Sequence, residues 1–198
     1  MDTIKQIFSL SLFLASFRFA TPLILAALGG IFSERSGVVN IALEGMILIG
    51  AFAAVYGSAS TGSPWIGVVY SMIAGLAFAA ILALVCVIFK ANQIVVGTGI
   101  NIFASGITIF LLQVLFGVKG TSPQVGRLPA FRLFGVRFNP ITYIALILVP
   151  VVWFIFFKTH WGLRIRSIGE HPAAADTLGI SVNKWRFISV LISGILAG

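Results

Sequence analysis

Acidic residues, histidine and cysteine are what this 198-residue sequence has least of: five Asp+Glu, two His and one Cys. The lone Cys86 excludes an internal disulfide framework and a thiolate metal cluster. Inside an apolar run it reads as a small packed hydrophobe. His160 and His171 stand apart in one polar segment, without the acidic and cysteine company of a metal site, so no metal ligands are assigned. Neither histidine lies in an apolar run, so no Ser/His/Asp set can be drawn and no catalytic residue is assigned. The G-x-x-x-x-G-K-[ST] pattern is missing, which leaves the chain no recognisable means of hydrolysing ATP. Gly97–Ile102, GTGINI, begins like a dinucleotide loop but lacks the third glycine and lies in an apolar stretch.

Charge of either sign is also sparse. Charged residues make up 9% of the chain and hydrophobic ones 59%, with a mean hydropathy of +1.10. A water-soluble domain carries about 25% charged residues, so this composition excludes one. The apolar runs reach the length of about 20 residues that a helix needs to cross a bilayer. Ile7–Ile31 is too long for the apolar core of a cleavable signal and lacks the basic flank and cleavage site. The expected fold is all-α, a polytopic transmembrane helical bundle forming a single domain over residues 1–198. Five complete spans are predicted: Ile4–Ile31, Val38–Tyr56, Trp65–Phe89, Ile94–Phe116 and Ile141–Phe157. A sixth starts near Trp185 and is still apolar at Gly198, so the sequence is expected to be truncated at its C-terminus. Ala26/Gly30, Gly50/Ala54 and Gly194/Gly198 have the small-xxx-small spacing that lets helix backbones approach closely in lipid.

What charge there is falls between the spans. Thirteen Lys+Arg against five acids give a net +8. The basic residues are scattered, whereas nucleic-acid binding needs them on one face; lipid head groups account for most of them. The segment 158–186 carries Lys158, Arg164, Arg166, Lys184 and Arg186, which places it in the cytoplasm. Counting back puts Gly117–Asn139 outside, Lys90–Gln93 inside, Gly57–Pro64 outside and Ser33–Gly37 inside. Gly117–Asn139 brings Lys119, Arg127, Arg132 and Arg137 without one acid. Arg127, Arg132 and Arg137 are therefore candidates for docking an acidic extracytoplasmic protein.

Within the cytoplasmic segment, Arg166–Ile180 (RSIGEHPAAADTLGI) has helix punctuation. Pro172 suits a first turn, Glu170 puts negative charge at the N-terminal end, and Gly179 can take the left-handed stop. The predicted helix, Pro172 to Leu178, is shorter than the roughly twelve residues that hold in water alone. It needs packing from elsewhere, either its own bundle or a partner's groove, and Ala173, Ala174 and Ala175 keep it thin.

Three blocks carry a family likeness. GEHPAAADTLGI (Gly169–Ile180) resembles the cytoplasmic coupling loop of bacterial ABC-importer permeases. ERSGVVNIALEGM (Glu34–Met46), extended backwards by Thr21–Ser33, and ANQIVVGTGINI (Ala91–Ile102) are similar to the nucleoside and simple-sugar branch of the branched-chain amino acid/ribose-type permeases. The resemblance implies a multi-pass subunit of the bacterial cell membrane, with no cofactor of its own. It also implies a second permease subunit, identical or homologous, and two ATPase subunits that use ATP and Mg²⁺. An extracytoplasmic binding protein would deliver the substrate. Gly169, Glu170, Pro172, Ala173, Ala174, Ala175, Asp176 and Gly179 would form the ATPase-coupling loop, with movement of that loop tilting the bundle between inward- and outward-open states. The substrate implied is a nucleoside, with a ribose-like sugar as the alternative. Family members continue beyond Gly198.

Two polar groupings inside the apolar runs could line a route. Asn40 and Glu44 are read as i, i+4 neighbours on one face of the second span. A charge there must face the bundle interior or a water-filled cavity, so Glu44 either braces the bundle, with Arg18 as a candidate partner, or lines the pathway. Gln93, Thr98 and Asn101 mark a second polar face, suited to a neutral hydroxyl-bearing ligand or to helix-to-helix hydrogen bonding. A secondary transporter would show several membrane-embedded acids, where only Glu44 qualifies. A membrane enzyme would need an acid/base/metal set, and none is found.

Overall fold

The computed structural model describes residues 10–117, 121–133 and 136–198. Helix α1 runs Leu10–Arg35, α2 Leu43–Thr61, α3 Pro64–Ala83 and α4 Gln93–Phe116. A two-stranded ribbon follows, β1 Phe131–Leu133 antiparallel to β2 Val136–Phe138. Then come α5 Pro140–Lys158, α6 His160–Glu170, α7 Pro172–Thr177 and α8 Val182–Ala197. A π-helical turn, Leu84–Ile88, continues α3. Among the described residues, five helices are long and apolar enough to cross a membrane, so the chain is an all-α polytopic bundle; the ribbon is a small addition in the Gly117–Asn139 segment.

The tightest contacts are made where the backbone has no side chain to hold it off. A Cβ on Gly194 of α8 would strike the Ala79 Cβ and the Gly75 carbonyl of α3, and one on Gly50 of α2 would lie 2.5 Å from the Gly198 carbonyl oxygen. The small-residue spacing thus marks real helix-to-helix seams, with Gly75 as a member that spacing alone did not single out. Around this seam, Met46, Ala79, Leu82, Ala83 and Val190 are fully buried. A second cluster, Leu28, Phe32, Val152, Phe156 and Ile165, joins α1, α5 and α6.

The second span differs from its prediction. Helix α2 begins at Leu43, with Ala42 as its N-cap, so Asn40 is outside it and shares no helix face with Glu44. Local chemistry explains the delay. Gly37 has φ +86°, and Val38, Val39 and Ile41 are β-branched and resist helix. Asn40 Oδ1 accepts from the Ala42 N–H at 3.0 Å, a short-range bond that competes with helix formation. Residues 38–42 form an irregular strap that is buried at Val38, Asn40 and Ala42.

The segment 158–186 also has more structure than predicted. Helix α6 fills what reads as loop, with Gly162, Ile165 and Ile168 buried at helical spacing. Gly162 permits the turn out of α5, since a Cβ there would collide with the Ile155 carbonyl and Phe156. Thr159 caps α6, its side chain accepting from the Gly162 N–H at 3.3 Å. Glu170 is the last residue of α6, before the N-cap His171 of α7, instead of heading an isolated helix.

Candidate functional site

Two ends of the bundle can be told apart by contact. At one end, the link after α1, the start of α4 and the α5–α8 segment meet. At the other, Gly126 approaches Pro64 and Thr21 shares a 2.9 Å hydroxyl contact with Thr142. This is the grouping of segments expected from counting spans.

At the first end, α7 stands out from the bundle. Pro172 is its first residue, and Gly179 stops the helix at φ +77° with its N–H donating to the Asp176 carbonyl at 2.9 Å. Ala175 is the anchor, 2% exposed. Pro172, Ala173, Ala174 and Asp176 are exposed, and Leu178 at the tip is 80% exposed. Beside them lies an open cleft of about 390 Å³, walled by Pro172, Ala173 and Asp176 on one side and Ser181 to Asn183 on the other.

Just before this protruding helix, the end of α6 packs by backbone against the turn after α1. A Cβ on Gly169 would collide with the Arg35 carbonyl oxygen and lie 3.3 Å from the Gly37 nitrogen. Arg186, in the first turns of α8, closes the joint. Its Nε donates to the Ser36 carbonyl at 3.0 Å and its Nη2 to the Ile168 carbonyl at 3.4 Å. One guanidinium therefore holds the turn after α1 against the end of α6. In the sequence Arg186 is only one charge among several; the bond to a residue 150 positions away has no local signal.

The strap that follows this turn is held from three directions. The Val39 N–H donates to Gln93 Oε1 at 2.8 Å. Asn101 clasps the strap and the start of α2, donating from Nδ2 to the Ile41 carbonyl at 2.9 Å and accepting from the Gly45 N–H at 2.8 Å. Asn40 Nδ2 donates to Ser193 Oγ of α8 at 2.8 Å, with both residues buried. Asn40, Gln93 and Asn101, from two separate polar groupings of the sequence, thus converge on the strap. Their strongest groups are spent on protein, and Ser193 is the partner that sequence reasoning missed. Thr98 is exposed and donates to the Ile94 carbonyl of its own helix at 2.8 Å. Glu44 lies exposed in the first turn of α2.

Arg18 is not the partner of Glu44. It precedes Arg35 by 17 residues on α1, about 25 Å along the helix axis, and so belongs to the opposite end. There it lines a cavity of about 310 Å³ with Thr21, Asn139 and Thr142. In the Gly117–Asn139 segment, Arg127 is exposed. Arg132 and Arg137 are Cα partners across the ribbon; their side chains, and Lys119, lie outside the described residues.

Comparison with known proteins adds the following. The family model described as branched-chain amino acid transport system / permease component matches residues 12–198. The guanosine ABC transporter permease protein NupQ of Bacillus subtilis is 44% identical, the match covering 93% of this chain and 63% of that protein. The nucleoside ABC transporter permease protein NupC of Lactococcus lactis is 37% identical, over 91% and 62%. A putative glucose ABC transporter permease protein, TsgC13, of Haloferax volcanii is 38% identical, over 96% and 61%. The chain thus spans somewhat under two thirds of the length of each of these relatives. No solved structure matches it.

Proposed function

Given that this chain belongs to the branched-chain amino acid transport system permease family, we propose that it is the membrane-spanning part of an ATP-driven importer subunit whose substrate is a nucleoside. It is a transport subunit and a multi-pass protein of the bacterial cell membrane. The partners are an ATPase pair that binds ATP and Mg²⁺, a second permease subunit, and an extracytoplasmic binding protein that delivers the substrate.

The observation that carries the reading is the exposed α7 helix, which follows directly on the end of α6, where Gly169 packs against the Arg35 carbonyl and Arg186 holds the Ser36 carbonyl. A six-residue helix with a leucine bare at its tip needs a partner groove. Residues Gly169 to Gly179 form that docking element. ATPase closure pushes on α7, and Gly169 and Arg186 pass the displacement to the Ser36–Gly37 turn. The strap then carries it to α4 through Gln93 and Asn101 and to α8 through Asn40. These three amides shape the inner end of the substrate route by holding the strap in place, with Glu44 and Thr98 exposed beside it.

Nucleoside specificity is supported by the similarity to the guanosine and nucleoside permeases; the putative glucose permease supports a sugar as the second reading. The test is uptake of labelled guanosine, adenosine, ribose and leucine by the full-length permease, assembled with its partners in proteoliposomes. Guanosine or adenosine should accumulate only with ATP. Leucine alone would refute the assignment, ribose alone would replace it with the sugar reading, and ATP-independent uptake driven by an ion gradient would make it a secondary transporter.

A further inference from the structure

At the coupling end, α1 and α5 lie side by side and leave a groove of about 290 Å³. Its floor is Leu28, Val152 and Phe156, all buried. Its rim, Ile31, Val149 and Trp153, is 40–55% exposed, on two of the helices long and apolar enough to cross a membrane. Leu28, Ile31 and Arg35 are spaced three and four residues apart, so the groove follows the helix axis for about 10 Å. An acyl chain in the bilayer runs in that direction.

Arg35 and Arg166 line the groove at its coupling end, and among the described residues no acidic side chain does. Both α1 and α5 finish here, and the negative ends of their dipoles favour nearby cations. That explains charge at this level but leaves one atom unexplained. Arg166 Nε is buried without a hydrogen-bond acceptor among the described residues, while its guanidinium lies 5.2 Å from the Phe157 ring centroid. A buried guanidinium N–H without an acceptor is a costly exception in folded proteins. Paired arginines above an apolar groove meet the demands of a phosphate with a hydrocarbon tail: the planar fork binds phosphate oxygens, and basic pockets between spans hold anionic head groups.

We propose that this groove is a binding site for an anionic phospholipid, with one acyl chain against Val152 and Phe156 and its phosphate held by Arg35 and Arg166. The site stands on its own geometry; its assignment to the cytoplasmic leaflet rests on the proposed function, which places the coupling loop on that side. Because α6 carries Arg166 and abuts α7, the lipid seats beside the coupling joint.

The test is native mass spectrometry of the full-length permease in its assembled complex, titrated with dioleoyl phosphatidylglycerol or dioleoyl phosphatidylethanolamine. The acyl chains are the same, so only the head group differs. Two basic contacts predict a preference for phosphatidylglycerol of about thirty-fold. Arg35→Gln with Arg166→Gln should abolish it, and Val149→Trp, which fills the groove from its rim, should reduce retention of both lipids. Inorganic phosphate at millimolar concentration should not displace the lipid. Equal retention of the two lipids by the native complex overturns the proposal, as does a preference unchanged in the double variant. Were that variant not to assemble, undiminished phosphatidylglycerol retention by Val149→Trp would overturn it equally. None of these readings depends on transport, so the site can fail while the proposed function stands.

Discussion

Replacing Arg186 with Met should uncouple ATP hydrolysis from transport without dismantling the permease. The side chain is half-buried and its charged nitrogens bond to two carbonyls, Ser36 at 3.0 Å and Ile168 at 3.4 Å. Hydrogen bonds to charged groups contribute about 1.5–3 kcal/mol; the second bond, at 3.4 Å, is long enough to discount. Loss of about 2 kcal/mol at the joint corresponds to roughly thirty-fold in the equilibrium between states that it couples. Methionine keeps most of the aliphatic packing, so the contact of Gly169 with the Arg35 carbonyl stays in place. The assay compares uptake per ATP hydrolysed in proteoliposomes containing the full-length importer, with assembly checked by co-purification of the ATPase. The expected result is near-normal association and hydrolysis with uptake per ATP reduced about ten- to thirty-fold. Unchanged uptake per ATP would show that the turn after α1 takes no part in transmission. Loss of ATPase binding together with transport would show that Arg186 positions the docking helix itself.

Other substitutions separate the remaining parts. Asn40→Leu leaves the buried Ser193 hydroxyl and the Ala42 N–H without their partners; about 1–3 kcal/mol of stability should be lost, read as a melting temperature several degrees lower. Thr98→Val, which removes only an exposed bond within its own helix, should leave the melting temperature nearly unchanged. Gly194→Leu drives a side chain into Ala79 and the Gly75 carbonyl and should deplete folded permease in membranes, whereas Gly99→Ala meets nothing within 4 Å and should express normally. Ala174→Arg on the exposed face of α7 should insert normally and fail to retain ATPase in a pull-down. Charge reversal at Arg127, Arg132 and Arg137 should slow association with an acidic binding protein, most visibly at low salt; an unchanged salt dependence would leave that loop without a docking role.

Composition alone determined that this chain is a helical membrane protein. Too few charges to build a wetted surface, in apolar runs of bilayer length, leave helices as the structure that satisfies its own backbone in lipid. Punctuation determined the ends of several elements for the same local reason. Pro172 and Gly179 bracket α7, and Gly162 and Gly179 sit where a side chain collides or φ is positive. Tertiary structure decided what hydropathy could not express. The strap at residues 38–42 is apolar enough to read as helix, yet Asn40 bonds to its own neighbour and to Ser193, 153 positions away. Helix α6 is short and mixed in polarity, and it is held because Ile165 is buried with Leu28 and Phe32 of α1, distant in sequence. The polar residues of the spans were legible as a set, since a polar group in an apolar run must find a partner. Which partner it finds depends on which helices pack together, and that was settled by glycine seams between α2, α3 and α8, where backbones approach to contact.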